Sequence, residues 1–326
     1  MDNKNNHAPG RAVQAAFVGV DWGTSSFRAW LMAADGQVLA HTRSSEGMLH
    51  CAQAGFAPVL QAHLAQLQAP AGLPVLMCGM VGARQGWLEA PYLHTPTRLD
   101  ALHQGAVPVP FDFAGHELRI LPGVACTDAR QPDVMRGEET QLLGAIAPDF
   151  TGSVCIPGTH SKWVSLQHGA ISGFATCMTG ELFAVLSRHS ILSHAVEATE
   201  AAEVAAAAQV PDAAFLEGVA SALREPAALT QLLFRLRAAQ LLGHEQRADG
   251  AARLSGLLIG AELAAMRARQ TAGDGQGVQL IAAGRLGTLY HAALEAAGFA
   301  PTLRDAEDAS RQGLVQAARR LWLAPR

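Results

Sequence analysis

Two short turns rich in glycine and hydroxyl residues carry the strongest chemical signal in the chain. They are Asp21-Trp22-Gly23-Thr24-Ser25-Ser26 and Pro157-Gly158-Thr159-His160-Ser161. Glycine lets a backbone approach a phosphate closely, and hydroxyl and amide groups donate hydrogen bonds to it. The turns therefore predict phosphate binding by Gly23, Thr24, Ser25, Ser26, Gly158, Thr159 and Ser161. Asp21, at the end of a strand, is the predicted ligand of a magnesium ion, held through water.

The two turns also resemble each other. VGVDWGTSSFRAWL at 18–31 aligns with VCIPGTHSKWVSL at 154–166 with one gap, so that Gly23-Thr24 matches Gly158-Thr159. Taken singly, each turn is equally compatible with a tight hairpin whose hydroxyls bond only to the protein. The repeat favours a shared task, because nucleotide phosphates need several donors that converge on them.

The lysines are few and one of them has an informative position. Of the 24 basic residues two are lysines, Lys4 and Lys162, so 22 are arginines. Lys162 follows the second turn directly. A compact ammonium group with three donors suits the changing charge of a transferred phosphoryl group. We predict that Lys162 acts on phosphate or on the acceptor; the alternative is a solvated hairpin lysine.

Two adjacent carboxylates stand at the predicted start of a helix, in Met135-Arg136-Gly137-Glu138-Glu139-Thr140-Gln141. Glu138 is the first candidate for a general base that takes the proton of an attacking alcohol, and Glu139 is the second. Asp128 and Asp133 are reserve candidates. The alternative is that both glutamates only complement the positive end of the helix dipole.

Two further segments are candidate ligand-binding turns. CGMVGARQGWLEAPY at 78–92 follows a strand end, where open α/β sheets bind ligands. In it we single out Gly79, Met80, Arg84, Trp87 and Tyr92, because an arginine can clamp a carboxylate and the rings can cover a sugar-like chain. The alternative for Trp87 is a side chain that fills the core. At the second segment, Gly284 permits a flat base to approach, although helix packing explains it equally well.

Several other chemistries are excluded by inspection. No Walker A, GxSxG or HExxH motif occurs, and the glycines at 273, 275 and 277 precede a strand instead of following one. Five cysteines form no CxxC pair, which argues against a zinc site or a dense disulfide framework. The net charge of −4 and the pI of 6.3 argue against nucleic acid. We expect a cytoplasmic protein with a small-molecule substrate and without a membrane partner, and we leave a homodimer open.

The elements that must position these turns form two similar series. Strands are predicted at 16–20, 28–33 and 37–42, and again at 154–156, 162–166 and 170–175, each series continuing into helices and further strands. This order, βββαβαβα, is that of the ribonuclease H-like domains of actin-like ATPases, with a nucleotide cleft between two domains. We predict an α/β protein with a flexible tail at 1–15, a first such domain at 16–150 that carries acceptor-binding loops, and a second at 151–326 with a helical insertion and an adenosine-binding region.

The motifs together resemble one family. DWGTSSFRAW, EGM at 46–48, CGMVGARQGWLEAPY, MRGEETQLLGA, PGTHSKW and MTGEL at 178–182 are similar to those of the 2-dehydro-3-deoxygalactonokinases, from about residue 17 to about 322. The resemblance implies two actin-like domains, ATP and Mg²⁺, and transfer of the γ-phosphoryl group to the 6-hydroxyl of 2-dehydro-3-deoxy-D-galactonate. It adds Gly47 and Met48 to the candidate substrate-binding residues. Pro157 stands where many such kinases have a second acidic residue.

Two other functions remain open at this point. One is a kinase for a different hexose or keto-acid, with the same mechanism and a different pocket. The other is an actin-like ATPase switch without a small-molecule acceptor, although no large appended domain is evident in the sequence.

Overall fold

The computed structural model describes residues 13–111, 113–196, 211–269 and 275–323, and these form two compact units. The first unit holds the described residues of Met1–Pro91, His103–Pro122 and Leu314–Arg326. The second unit holds those of Tyr92–Leu102 and Gly123–Gly313. Residues 123–150, which the sequence analysis assigned to the first domain, therefore lie in the second unit. Most of the predicted tail, residues 1–12, lies outside the described residues.

The described residues contain both helices and strands, as predicted. The strands are β1 (Ala15–Trp22), β2 (Phe27–Ala33), β3 (Val38–Ser44), β4 (Val75–Gly79), β5 (Tyr92–His94), β6 (Thr97–Arg98), β7 (Val107–Pro108), β8 (Leu118–Ile120), β9 (Gly123–Cys126), β10 (Asp133–Met135), β11 (Gly152–Ile156), β12 (Ser161–Gln167), β13 (Ala170–Cys177), β14 (Gly277–Ala282) and β15 (Ala300–Asp305). The α-helices are α1 (Met48–Ala54), α2 (Phe56–Gln66), α3 (Glu138–Ala145), α4 (Thr179–His189), α5 (Ala213–Arg224), α6 (Leu229–Leu241), α7 (Gly250–Arg269), α8 (Gly284–Ala296) and α9 (Ala306–Ala318).

The first unit is built on a six-stranded mixed sheet of order β3-β2-β1-β4-β8-β7. The first three strands are antiparallel, whereas β4 and β8 run parallel to β1. Between β4 and β8 the described residues contain short strands and 3-10 turns but no α-helix, so this unit differs from the predicted order βββαβαβα. The sheet and α2 enclose a core around Trp22, Phe27 and Phe56. This arrangement brings the end of β1 and the end of β4 side by side.

The second unit repeats the antiparallel start on a second mixed sheet, of order β15-β14-β11-β12-β13-β6. Strands β11, β12 and β13 are antiparallel, and β14 and β15 run parallel to β11. A separate three-stranded sheet, β10-β9-β5, belongs to the same unit. The mixed α/β class predicted from the sequence is thereby confirmed.

Close helix packing in the second unit depends on residues without side chains. A Cβ atom at Gly218 of α5 would lie 2.6 Å from the carbonyl oxygen of Arg253, and one at Gly260 of α7 would lie 2.7 Å from that of Val219. Such distances leave no room for a methyl group, so α5 and α7 approach each other backbone to backbone. Asp212 begins α5 as its N-cap, since its carboxylate accepts a hydrogen bond from the Phe215 amide at 2.7 Å.

The helix α3, which carries Glu138 and Glu139, also packs closely against another helix at a glycine. A Cβ atom at Gly144 of α3 would overlap the carbonyl oxygen of Ala309 in α9. We expect Gly144→Ala to lower the free energy of unfolding by about 1 to 3 kcal/mol, because α3 must move away from α9. Gly173→Ala is the matched control, since a Cβ atom there meets nothing within 4 Å. Equal denaturation midpoints for the two variants would contradict this packing.

Candidate functional site

The first Gly-Thr turn closes the hairpin between β1 and β2. The Gly23 amide donates to the Ser26 carbonyl oxygen at 2.8 Å, which fixes the turn. Asp21 lies next to the end of β1, and its Oδ2 atom is 3.6 Å from the Arg28 guanidinium, with 19% of its side chain exposed. A partly exposed carboxylate beside a turn of this kind is accessible to a hydrated cation.

The Glu46-Gly47-Met48 motif lies directly on this turn. A Cβ atom at Gly47 would be 2.5 Å from the amide nitrogens of Ser25 and Ser26, so only glycine fits. The Met48 amide donates to the Gly23 carbonyl oxygen at 3.0 Å. Gly47 thus has a structural role in forming the turn, and the half-buried Met48 packs against the core of the first unit.

Glu46, which the sequence analysis left out of the candidate residues, anchors that motif. Its Oε2 atom is 2.9 Å from Nε2 of the buried His63, and its carbonyl oxygen accepts the Trp22 indole N–H at 2.9 Å. Hydrogen bonds from Ser44 and then His63 hold the pKa of the Glu46 carboxyl below its ordinary value. The signal was present in the sequence, because Glu46 begins the motif.

The second Gly-Thr turn has an equivalent support in the second unit. The MTGEL motif begins α4, and a Cβ atom at Gly180 would be 2.5 Å from the Gly158 carbonyl oxygen. The Glu181 amide donates to the Thr159 carbonyl oxygen at 3.0 Å, and the Glu181 carboxylate pairs with His160. Thr159 is exposed and Gly158 is half-buried. Their contact with phosphate stays a prediction.

Ser161 requires a correction to its predicted role. Its side chain is completely buried, and its hydroxyl oxygen lies 2.8 Å from the Tyr290 hydroxyl oxygen. A hydroxyl used in this way is not presented to a phosphate at the surface. We therefore assign Ser161 to an internal hydrogen-bond network and leave the side-chain contact with phosphate at this turn to Thr159.

Lys162 is buried and paired. Its exposed fraction is 5%, and its Nζ atom lies 3.6 Å from Oε1 of Glu138. The alternative of a solvated hairpin lysine is therefore wrong. A buried ammonium group needs a carboxylate partner, because its transfer from water is otherwise very costly. The pair places Lys162, directly after the second turn, next to Glu138 at the start of α3. Two of the predicted catalytic residues therefore lie close together.

The two adjacent glutamates have different environments. Glu138 retains 23% side-chain exposure, and its Oε2 atom accepts the Arg136 amide at 3.1 Å. Burial raises the pKa of the Glu138 carboxyl, and Lys162 opposes that increase. Glu139 is 1% exposed and accepts hydrogen bonds from the Gly137 amide at 2.7 Å and the Thr140 hydroxyl at 2.9 Å. Glu138 is the more accessible of the two and remains the first candidate base.

The reserve candidates Asp133 and Asp128 have other partners. Asp133 accepts the Thr176 amide at 2.7 Å and the Thr176 hydroxyl at 2.6 Å, which ties β10 to β13. Asp128 accepts the Arg130 amide at 3.0 Å and lines a cavity of about 370 Å³ together with Trp163 and Arg269. These contacts favour a structural role for Asp133, whereas Asp128 is exposed and stays a reserve candidate.

The candidate residues of the predicted substrate loop at 78–92 have different environments in the structure. Gly79 adopts a φ of +90°, and a Cβ atom there would lie 2.7 Å from the Trp22 carbonyl oxygen. Met80 follows it half-buried, and Arg84 is exposed, as a carboxylate clamp would need. Trp87 instead packs on Phe56 and Phe111 with ring centroids 6.1 and 5.5 Å away, which supports the core-filling alternative.

Tyr92 and Gly284 belong to the second unit. The Tyr92 ring lies under the Arg136 guanidinium, 4.3 Å from the ring centroid, a cation–π contact within one unit. Gly284 begins α8 with a φ of +55°, and a Cβ atom there would meet nothing within 4 Å. The open space fits a flat base, and that role stays a prediction.

The metal prediction rests on Asp21 alone. Among the described residues no group of three or more His, Cys, Asp or Glu side chains is arranged to hold a metal ion. This donor set fits Mg²⁺, which is commonly bound by one or two carboxylates together with water and substrate phosphates.

Comparison with known proteins identifies the family. The family model for 2-keto-3-deoxy-galactonokinase matches residues 21–317. The chain is 51% identical over 308 residues to the probable 2-dehydro-3-deoxygalactonokinase DgoK1 of Rhizobium meliloti (strain 1021), covering 94% of this chain and 97% of the relative. It is 35% identical over 303 residues to the 2-dehydro-3-deoxygalactonokinase of Escherichia coli (strain K12), covering 92% and 96%.

A solved structure agrees with these relatives. The crystal structure of a protein from Sinorhizobium meliloti, assigned as a 2-dehydro-3-deoxygalactonokinase, superposes with a TM-score of 0.86 at 50% identity and covers 94% of this chain and 99% of that one. The enzyme class is thus a kinase, a phosphotransferase of carbohydrate metabolism. The chain belongs to the 2-keto-3-deoxy-galactonokinase family, which confirms the family predicted from the motifs. In the part of the chain that the structure describes, no helix is both long and apolar enough to cross a membrane.

The pKa of Glu139 generates a prediction about stability. Burial, and then the neighbouring Glu138, raise this pKa from an ordinary 4.5 to about 7. A folded state that binds the proton more tightly loses stability as pH rises from about 4.5 through 7. We expect a Glu139 contribution on the order of 3 kcal/mol to this loss, from 1.36 kcal/mol per pKa unit.

Chemical denaturation at pH 5 and pH 8 measures this contribution. Glu139→Gln removes the titrating group and should lose clearly less stability across this interval than the parent does. Glu117→Gln, at an exposed carboxylate of the other unit, is the control and should follow the parent. A Glu139→Gln variant with the parent's full pH dependence would contradict the assignment.

Proposed function

We propose that this protein transfers the γ-phosphoryl group of ATP to the 6-hydroxyl of 2-dehydro-3-deoxy-D-galactonate, giving ADP and 2-dehydro-3-deoxy-6-phospho-D-galactonate. Membership of the family supports the substrate and reaction. The observation in the structure that carries the proposal is the pair formed by Glu138 and Lys162 beside the second Gly-Thr turn. It combines a proton acceptor with a cation, the two groups that phosphoryl transfer to an alcohol requires.

In the proposed step Glu138 acts as the general base. Its carboxylate accepts the proton of the 6-hydroxyl as the hydroxyl oxygen forms a bond to the γ-phosphorus, while the bond from that phosphorus to the bridging oxygen of ADP breaks. The raised pKa of Glu138 suits this role, because a base works best when its pKa approaches the working pH. Lys162 stabilises the negative charge of the transferred group and keeps the carboxyl of Glu138 ionised before the reaction.

The Gly-Thr turns supply the phosphate contacts in this proposal. In the second unit the backbone at Gly158 and Thr159, and the Thr159 hydroxyl, would donate to the nucleotide. In the first unit Thr24, Ser25 and Ser26 would do the same, Gly23 would let the backbone approach the phosphates, and Asp21 would hold Mg²⁺. Bound Mg²⁺ neutralises phosphate charge and so assists departure of ADP.

The remaining assignments extend the same proposal. The two units would be the predicted ribonuclease H-like domains of an actin-like ATPase, which the similar antiparallel starts of their sheets support. The exposed Arg84 would bind the carboxylate of the sugar acid. A cytoplasmic location and a homodimer without nucleic-acid or membrane partners are proposed on the composition of the chain alone.

The acceptor is tested by ADP release. With ATP and Mg²⁺, we expect strong turnover on 2-dehydro-3-deoxy-D-galactonate and at least tenfold lower kcat/KM on its C4 epimer and on glucose, about 1.4 kcal/mol of discrimination. Faster turnover on glucose or another keto-acid would assign a different acceptor. ATP hydrolysis that does not depend on any acceptor would favour the ATPase switch.

The base is tested by Glu138→Gln, which keeps the shape of the side chain and removes its ability to take a proton. We expect kcat to fall by about 10² to 10⁴ in a variant that still folds at the assay temperature, with a lowered thermal midpoint because the buried Lys162 loses its carboxylate partner. Asp128→Asn is the matched control at an exposed carboxylate and should retain at least half of the parent's kcat. If the control loses activity and Glu138→Gln does not, the base has been assigned to the wrong carboxylate.

The metal role is tested by Asp21→Asn. We expect turnover to fall at least tenfold, and the Mg²⁺ concentration for half-maximal rate to rise, because a carboxylate holds the hydrated ion more strongly than an amide does. A Mg²⁺ titration at saturating ATP and sugar acid measures both changes. A titration curve identical to the parent's would remove Asp21 from the metal site.

A further inference from the structure

One carboxylate in the second unit is buried far more deeply than its position in the sequence suggests. Glu262 interrupts the most apolar run of α7 and is 5% exposed. Its neighbours in α7, Leu258, Ile259 and Leu263, are core residues. Burying a carboxylate in such surroundings is costly unless donors surround it. A group of this kind needs an explanation that helix stability does not provide.

Three donors converge on Glu262. The Trp163 indole N–H donates to Oε1 at 2.8 Å, the Tyr290 hydroxyl donates to Oε2 at 2.8 Å, and the Thr179 hydroxyl donates to Oε2 as well. Burial raises the pKa of the carboxyl, and hydrogen bonding by Thr179, Trp163, Tyr290 and Ser161 opposes that increase. The carboxylate therefore joins α7 to β12, α4 and α8, which carry its three donors.

The direction of the hydrogen bonds links Glu262 to the second Gly-Thr turn. Tyr290 has one hydroxyl proton, and it is donated to Glu262. When the Glu262 carboxyl is ionised, the 2.8 Å contact between Tyr290 and Ser161 therefore uses the Ser161 proton, with the Tyr290 oxygen as acceptor. Ser161 is the residue at which the turn enters β12. One chain of donors thus leads from the turn to the carboxylate.

A second route reaches the same turn from the other side. Thr179, which donates to Glu262, begins α4, and the next residue is Gly180. A Cβ atom at Gly180 would lie 2.5 Å from the Gly158 carbonyl oxygen and 2.8 Å from Cα of Thr159. The start of α4 is thus held between the carboxylate and the turn, so that a shift of Thr179 would be transmitted to the turn backbone.

We propose that Glu262 is a positioning residue for nucleotide binding, which fixes the second Gly-Thr turn through Tyr290 and Ser161 on one side and through Thr179 and Gly180 on the other. The inference rests on the proposed function, in which Gly158 and Thr159 contact nucleotide phosphates. Glu262 itself touches no substrate, since it acts through its donors.

Replacing the Glu262 carboxylate by an amide tests the proposal, because one of the two oxygen acceptors becomes a nitrogen donor. Trp163 can only donate, so in Glu262→Gln the amide oxygen must face the indole and the amide nitrogen must face Thr179 and Tyr290. Tyr290 would then accept from the amide and donate to Ser161, which reverses the hydroxyl chain. The Ser161 proton would then have no acceptor in this chain of hydrogen bonds, so the hydrogen bonding that holds the turn would be weakened although the shape of the core is preserved.

The experiment measures the Kd of a non-hydrolysable ATP analogue with Mg²⁺ by calorimetry. We expect Glu262→Gln to weaken binding at least tenfold and Tyr290→Phe to weaken it about threefold to tenfold, since Tyr290→Phe breaks only one of the two routes. In the kinetic assay the KM for ATP should rise accordingly, and the KM for the sugar acid should stay within twofold. Leu263→Ala, buried next to Glu262, is the control for lost core packing and should keep its affinity within twofold.

The outcomes separate this inference from the proposed function. If the parent binds the analogue and folded Glu262→Gln binds it equally well, the positioning role is overturned while the kinase assignment stands. If Leu263→Ala weakens binding as much as Glu262→Gln, the effect is one of general packing and the inference is also overturned. Absence of binding by the parent would contradict the nucleotide role itself. Should Glu262→Gln fail to fold, Tyr290→Phe decides the question by the same measurement.

Discussion

Burial of charge is the constraint around which the second unit is organised. The ammonium group of Lys162 is buried, and the carboxylate of Glu138 lies 3.6 Å away. Because neighbouring residues of a strand point to opposite faces, Ser161 faces away from Lys162 and reaches the network of Glu262. The start of β12 is thus held on both faces by carboxylates from two different helices. The Gly-Thr turn that precedes it takes its position from these two attachments.

The two units fix their Gly-Thr turns in the same way. In each, a glycine at the start of a helix lies against the turn at a distance that excludes any side chain: Gly47 on the first turn and Gly180 on the second. In each, a glutamate with hydrogen-bonded oxygens stands behind that glycine, Glu46 with His63 and Glu262 with Thr179. The sequence repeat of the turns therefore extends to their supports, although the residues that provide the supports differ.

Elements that are marked by the residues within them could be predicted from the sequence. Contacts between residues far apart in the sequence could not. A helix was expected to begin at the two adjacent glutamates, and α3 does begin at Glu138, because the glycine of a turn and the period of a helix are local properties. That Ser161 is buried, and that Trp87 fills the aromatic core, depends on residues far along the chain. The assignment of the described residues from Leu314 onward to the first unit likewise has no local signal. Glu262 is the one charged residue in the run from Leu254 to Met266, but nothing in its local sequence names the donors that surround it.

The central claim is that Glu138 and Lys162 act as one catalytic pair, and a double-mutant cycle in kcat/KM tests it most directly. Residues that work as a unit are strongly non-additive, so each single change should remove most of what both provide. We predict that Glu138→Gln combined with Lys162→Met is slower than the slower single variant by no more than about threefold. Rate losses that multiply across the cycle, in variants that are folded at the assay temperature, would contradict the account.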